Sequence, residues 1–157
     1  MDVQILSDQA YINYSNENVL FRFSNRYRIP EEEIRDLFQE TKKFIAICTE
    51  PNIYVNDDLL IIDEMWHNFI LFTPAYAEFC QQFFQRFIHH IPMGKHEREK
   101  FIELKDKDPE KAKNNYLQRE ELLMSTVYEL CGEETVKKWF KDYPEKYTKE
   151  YITSIQK

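Results

Sequence analysis

Glycine is nearly absent from this chain, which has two among 157 residues. Glycine serves the turns that need a positive φ angle, and folds rich in β-sheet need many such turns. The shortage therefore favours helices joined by simple loops. The longest apolar runs fall far short of the ~20 residues that cross a bilayer. The first residues form neither a basic segment nor a long apolar one, so we expect no signal peptide.

Cysteine is scarce and unpatterned. Cys48, Cys80 and Cys131 lie far apart, each within an apolar stretch. A disulfide scaffold or a cysteine-based zinc site would show an even count or CxxC spacing. We expect three buried thiols in a reducing, cytoplasmic environment.

The chain also has fewer basic than acidic residues, 21 against 28, and its formal net charge is −7. Binding to nucleic acid or to an anionic membrane needs a basic surface, so neither is expected. An acidic surface and a highly charged segment over 94–121 favour another protein as the partner. The oligomeric state is left open.

Hydrophobic residues make up 43% of the chain, enough for a core, and they recur at helical spacing. We predict an all-α fold over 1–157, a single irregular or orthogonal bundle of six to seven helices. Residues 1–15 are expected to be an irregular lead-in, and 93–108 a charged connecting loop with a partial helix. The helices are predicted at 16–28 after Ser15, from Pro30 to Pro51, at 58–72 after Asn56 and Asp57, at 74–90, at 109–131 before Gly132, around 136–143, and at 147–155.

The third helix, DDLLIIDEMWHNFILF, is apolar almost all round except for Asp63 and His67. These two residues are four apart and therefore share a face. Glu64 and Asn68, together with Asp57, form the expected solvent face.

The fourth predicted helix ends with two further histidines. His90 continues the stripe of Tyr76, Cys80 and Phe87, whereas His89 falls on a polar side. A continuous helix would place His90 ~24 Å after the turn at Thr73 that joins the third and fourth helices, whereas Asp63 lies only ~15 Å before that turn. The cost of burying unpaired charged or imidazole groups nevertheless predicts that Asp63, His67 and at least one of these two histidines converge in one polar pocket, with His90 favoured.

Two interpretations of this cluster stay open. Two histidines and a carboxylate suit Zn²⁺ or Fe²⁺ and leave coordination positions for a substrate, so the chain would be a metal-binding domain or a metal-dependent enzyme. Alternatively, Asp63 orients His67 by a hydrogen bond and the chain is a protein-interaction or regulatory domain. The core is predicted to include Trp66, Phe69, Phe83, Phe87 and Trp139.

The stretch from Asp63 to Pro92 resembles a family of small bacterial proteins with the signature D-x-x-W-H-x-F-I-L…Y…F-C…F-x-H-H-x-P. These proteins are described as glycine-rich-domain-like, and their activity is unassigned. The family often has a glycine before F-x-H-H, where this chain has Phe84 and Gln85. The resemblance implies two sets of motif residues: polar members Asp63, His67, His89 and His90, and structural members Trp66, Phe83, Phe87 and Pro92.

Overall fold

The computed structural model describes residues 9–53 and 58–157, and no strand occurs among them. The all-α prediction is confirmed. No helix in these ranges is long and apolar enough to cross a membrane. A short 3-10 helix, Ala10–Asn13, comes first. The α-helices are α1 (Glu17–Arg26), α2 (Glu31–Ile47), α3 (Leu60–Ile70), α4 (Thr73–Phe84), α5 (Lys95–Lys107), α6 (Pro109–Cys131), α7 (Glu133–Lys137), α8 (Tyr143–Lys146) and α9 (Lys149–Ser154), with a π-helical turn (Lys138–Asp142) joining α7 to α8.

Polar caps fix several helix ends. Asn16, rather than Ser15, begins α1, because its side chain accepts hydrogen bonds from the N–H groups of Asn18 and Val19. Asp108 begins α6 by accepting from the N–H of Lys111 at 3.0 Å. Gly132 ends α6, with a φ of 89° that other residues rarely adopt. The expected start of α3 at Asn56 and Asp57 lies outside the described residues, as do residues 1–8 of the lead-in.

Helix α2 forms the centre of the molecule and packs against α1, α3, α6 and the 3-10 helix. Its buried Lys42 donates to the carbonyls of Ile12 and Tyr14, both at 2.5 Å, and so holds the 3-10 helix on the core. Tyr11 is buried there, within the segment expected to be an irregular lead-in.

An acidic stripe on α2 receives the C-terminal elements. Glu40 is 1% exposed and accepts from the indole N–H of Trp139 at 2.9 Å. Asp36 accepts from Lys138 at 2.9 Å and from Tyr143 at 3.1 Å. Paired in this way, the buried carboxylate keeps its hydrogen bonds inside the fold.

The fourth helix is shorter than predicted. It ends at Phe84, and Gln85 then adopts a left-handed conformation, with φ 57° and ψ 18°. Phe84 takes the core position, whereas Phe87 is 45% exposed and Phe83 is half-buried. The expectation that Phe87 is buried is therefore wrong. The other predicted core residues, Trp66, Phe69 and Trp139, are at most 3% exposed.

Three further expectations are corrected. The segment 93–108 is mostly helix α5, whose start is supported by a hydrogen bond from the Gly94 N–H to Glu97. Asn68 is not on a solvent face: it is 2% exposed, donates to the Val19 carbonyl at 2.9 Å and accepts from Arg22 at 2.7 Å. Helix α1 covers this side of α3, which the pattern of α3 alone does not reveal. The expectation of three buried thiols is also wrong: all three cysteines are free, but only Cys80 is fully buried, and Cys48 and Cys131 are partly buried.

Candidate metal centre

Two of the site residues come from one helix. Asp63 and His67 lie one turn apart on α3, and His67 Nδ1 is 3.6 Å from Asp63 Oδ2. Their side chains are 44% and 53% exposed. The i,i+4 spacing makes them neighbours wherever the helix forms.

The third residue, His90, arrives on a non-helical segment. Because α4 stops at Phe84 and the chain reverses at Gln85, residues 87–94 run outside any helix. This reversal removes the mismatch of path lengths that a helix reaching His90 would have created. His90 is thus brought back to the face of α3 that carries Asp63 and His67.

The three side chains converge on one point. His90 Nε2 lies 2.7 Å from Asp63 Oδ1 and 2.7 Å from His67 Nε2. Each residue offers a ligand atom, and these atoms lie within 4.8 Å of one another. The predicted convergence of Asp63, His67 and His90 is confirmed as geometry.

His90 is held from behind by the core. Its ring stacks on Trp66, with centroids 4.2 Å apart and planes inclined by 23°. The Trp66 indole N–H donates to the hydroxyl of Tyr76 at 3.0 Å, and that hydroxyl donates to the carbonyl of Ile88 at 2.6 Å. A buried aromatic pair therefore fixes the backbone two residues before His90.

Opposing effects act on the carboxylate. Partial burial raises the pKa of Asp63, but the hydrogen bond from His90 and the charges of His67 and His90 outweigh burial and lower the pKa below its usual value. Asp63 is therefore ionised at neutral pH and available as an anionic ligand.

The other candidates lie apart from this point. His89 is exposed, and its ring contacts Phe87 with centroids 4.8 Å apart. Pro92 is exposed, and His96 is an exposed residue of α5. Neither His89 nor His96 is part of the converging group.

Sequence reasoning missed Tyr76 as a polar residue of this region, because its spacing assigned it to an apolar stripe. Its hydroxyl is the group that joins Trp66 to Ile88. A buried tyrosine normally needs a hydrogen-bond partner, which was the available signal.

The three ligand atoms compete for too few protons. The nitrogen His90 Nε2 carries at most one hydrogen, so it can donate to Asp63 and His67 at once only by sharing that hydrogen between them. A divalent cation would satisfy all three atoms together. Tetrahedral bonds of 2.0–2.1 Å place ligand atoms about 3.3 Å apart, so the two Nε2 atoms must separate by about 0.6 Å. Exposure of His67 leaves its ring room to do so.

The family model UCP032817-like matches residues 7–107, about two thirds of the chain, and describes an uncharacterised family. The match includes α3, α4 and all three converging residues. No curated protein and no solved structure shows a significant match.

Proposed function

Since the chain belongs to the UCP032817-like family, whose activity is unassigned, we propose from the site's chemistry that it binds a divalent metal ion through Asp63, His67 and His90. The observation that carries the proposal is the 2.7 Å approach of His90 Nε2 to both an Asp63 oxygen and His67 Nε2. Imidazole and carboxylate ligands suit Zn²⁺ and Fe²⁺.

The site is of the open kind. Three protein ligands leave at least one coordination position, which in zinc proteins distinguishes catalytic from structural sites. Asp63 and His67 are about half exposed, so a small molecule can approach the remaining position from solvent. Trp66 and Tyr76 support the least exposed ligand, His90, as outer-shell residues do at metal sites.

Metal titration of the purified, chelator-treated protein tests the proposal. Isothermal titration with Zn²⁺ should give one site, and Co²⁺ should give the absorption bands of a bound ion. His67→Ala and His90→Ala should each abolish binding. The exposed His89→Ala and His96→Ala are matched controls and should bind as the wild type does.

Two results would overturn it. One is a wild-type protein that binds neither ion. The other is an affinity that falls equally in the four histidine variants, since this would indicate adventitious surface binding.

A second role, as a protein-interaction or regulatory domain, follows if the same contacts act as hydrogen bonds without a metal ion. Asp63, His67 and His90 already contact one another as a hydrogen-bonded group, so they can stabilise the fold as a structural pocket. A metal-free protein destabilised by about 1–3 kcal/mol in His90→Ala would support this role.

We also propose that the family is related to the bacterial glycine-rich-domain-like proteins and acts in the cytoplasm. Gln85 supports the relationship, because its positive φ lies where those sequences often have glycine. The free thiols Cys48, Cys80 and Cys131 support a reducing compartment.

A further inference from the structure

Helix α5 makes few contacts with the hydrophobic core. It spans 13 residues, none of which is buried, and it packs chiefly on α6. Helix α6 spans 23 residues, of which Ala112, Leu123 and Val127 are buried. Because isolated helices shorter than about 12–15 residues are marginal in water, a helix such as α5 gains from further packing.

Large apolar side chains on both helices are exposed. On α5, Phe101 and Ile102 are 46% and 48% exposed. On α6, Leu117, Met124 and Tyr128 are 50%, 41% and 60% exposed. The α6 residues are spaced seven and four apart, so they form one stripe along the helix. Monomeric proteins rarely expose contiguous apolar patches above a few hundred Å².

The charges of α6 are ordered along its axis. Its first half, 109–119, has three basic residues and one acidic residue, whereas its second half, 120–131, has three acidic residues and no basic one. Two copies of α6 lying antiparallel and centred near Glu121 would place Lys111 and Lys113 of each copy near the partner's Glu129. A parallel arrangement would place like charges together, which is unfavourable.

We propose that α5 and α6 form the interface through which two copies of this chain associate, with the two α6 helices antiparallel about a twofold axis. Two helices from each copy make a four-helix arrangement, a common way to cover such faces. Leu117 then lies near Met124 of the partner subunit. The proposal does not depend on metal binding at Asp63, His67 and His90.

The same arrangement brings one like-charged pair together. If Leu117 faces Met124 of the partner subunit, the twofold axis passes close to Glu121. Glu121 then lies near the partner's Glu121, and their repulsion weakens association. Removing that charge should therefore strengthen the dimer. If α5 and α6 instead bound an unrelated protein, removing it would not be expected to promote association of two copies.

Sedimentation velocity over a wide range of concentrations tests the proposal. The full chain should show a monomer–dimer equilibrium. Leu117→Glu should raise the dissociation constant at least about tenfold, because it places a charge in the apolar stripe, opposite Met124 of the partner subunit. Glu121→Gln should lower it. Leu122→Glu is the matched control, because Leu122 is similarly exposed, at 45%, but lies on another side of α6.

Circular dichroism shows whether each variant stays folded. If Leu117→Glu does not fold, two expectations still decide the matter: Glu121→Gln should lower the dissociation constant, and Leu122→Glu should leave it unchanged. A wild type that is monomeric throughout, or a Leu122→Glu variant as impaired as Leu117→Glu, would refute the proposed interface.

Discussion

The hydroxyl of Tyr76 donates to the carbonyl of Ile88 at 2.6 Å, and this bond ties the first turn of α4 to the segment that carries His90. The same hydroxyl accepts from Trp66. One atom thus connects α3, α4 and the returning segment.

Tyr76→Phe should lower the free energy of unfolding by about 1–3 kcal/mol, because it leaves the Trp66 N–H and the Ile88 carbonyl unpaired in a buried region. Urea denaturation measures the change. Tyr151→Phe, at a residue 39% exposed, should alter it by less than about 0.5 kcal/mol. Equal effects of the two substitutions would mean that the Tyr76 bonds contribute nothing.

Gln85→Gly should raise stability by about 0.5–1 kcal/mol. A left-handed conformation costs an ordinary residue about 1–2 kcal/mol, and the greater freedom of glycine in the unfolded chain offsets part of the gain. The Gln85 side chain is exposed, so little packing is lost. Thermal and urea unfolding check the prediction, and a destabilised variant would show that Gln85 makes a stabilising contact of its own.

Gly132→Ala should act in the opposite direction and cost about 1–3 kcal/mol. Its φ of 89° and ψ of 174° lie in a region open essentially to glycine alone. Apart from the glycine and its chain neighbours, no atom of the described residues lies within 4 Å of the position a Cβ would occupy, so the cost is backbone strain rather than a clash. Gly94→Ala is the control, because Gly94 has an ordinary φ of −70° and an equally open surrounding.

Lys42 should make stability depend on pH in the alkaline range. Burial lowers the pKa of Lys42 to about 8, against 10.5 for the unfolded chain. Between these values the unfolded chain binds more protons, so stability rises with pH. Relative to Lys42→Met, the wild type should gain about 2 kcal/mol between pH 7 and 9.5.

The Lys42→Met reference is needed because burial raises the pKa of Cys48 to about 12, and ionisation of such groups in the unfolded chain lowers stability at high pH. Denaturation at several pH values gives the difference between wild type and variant. A difference that stays constant with pH would show that Lys42 keeps its proton through this range.

Most helices could be predicted because their apolar periodicity is strong, and Asp63 with His67 because helical spacing alone makes them neighbours. Helix α5 was expected to be mostly loop, because it buries none of its residues. The approach of His90 was predicted from the cost of isolating polar groups, but its route was not. The apolar stripe of the fourth helix is compatible both with a helix that continues to His90 and with the observed end at Phe84. No glycine marks the left-handed turn at Gln85.

Errors in predicted burial have tertiary causes. Asn68 reads as polar and exposed from α3 alone, but it meets Val19 and Arg22 of α1, which are far away in sequence. Phe87 reads as core only if α4 continues, and Phe84 occupies that position instead. Such exchanges depend on neighbours that one helix's pattern does not contain.

Because the chain reverses at Gln85, the site has a local part, which needs only helix α3, and a part that needs the complete tertiary fold. A partly folded chain that kept α3 would retain Asp63 beside His67. It would lack His90, which is 23 residues from His67 and joins only when α4 and the Trp66–Tyr76 contact are in place. A metal ion bound by all three side chains would therefore distinguish the native state from a molten globule with the same helix content.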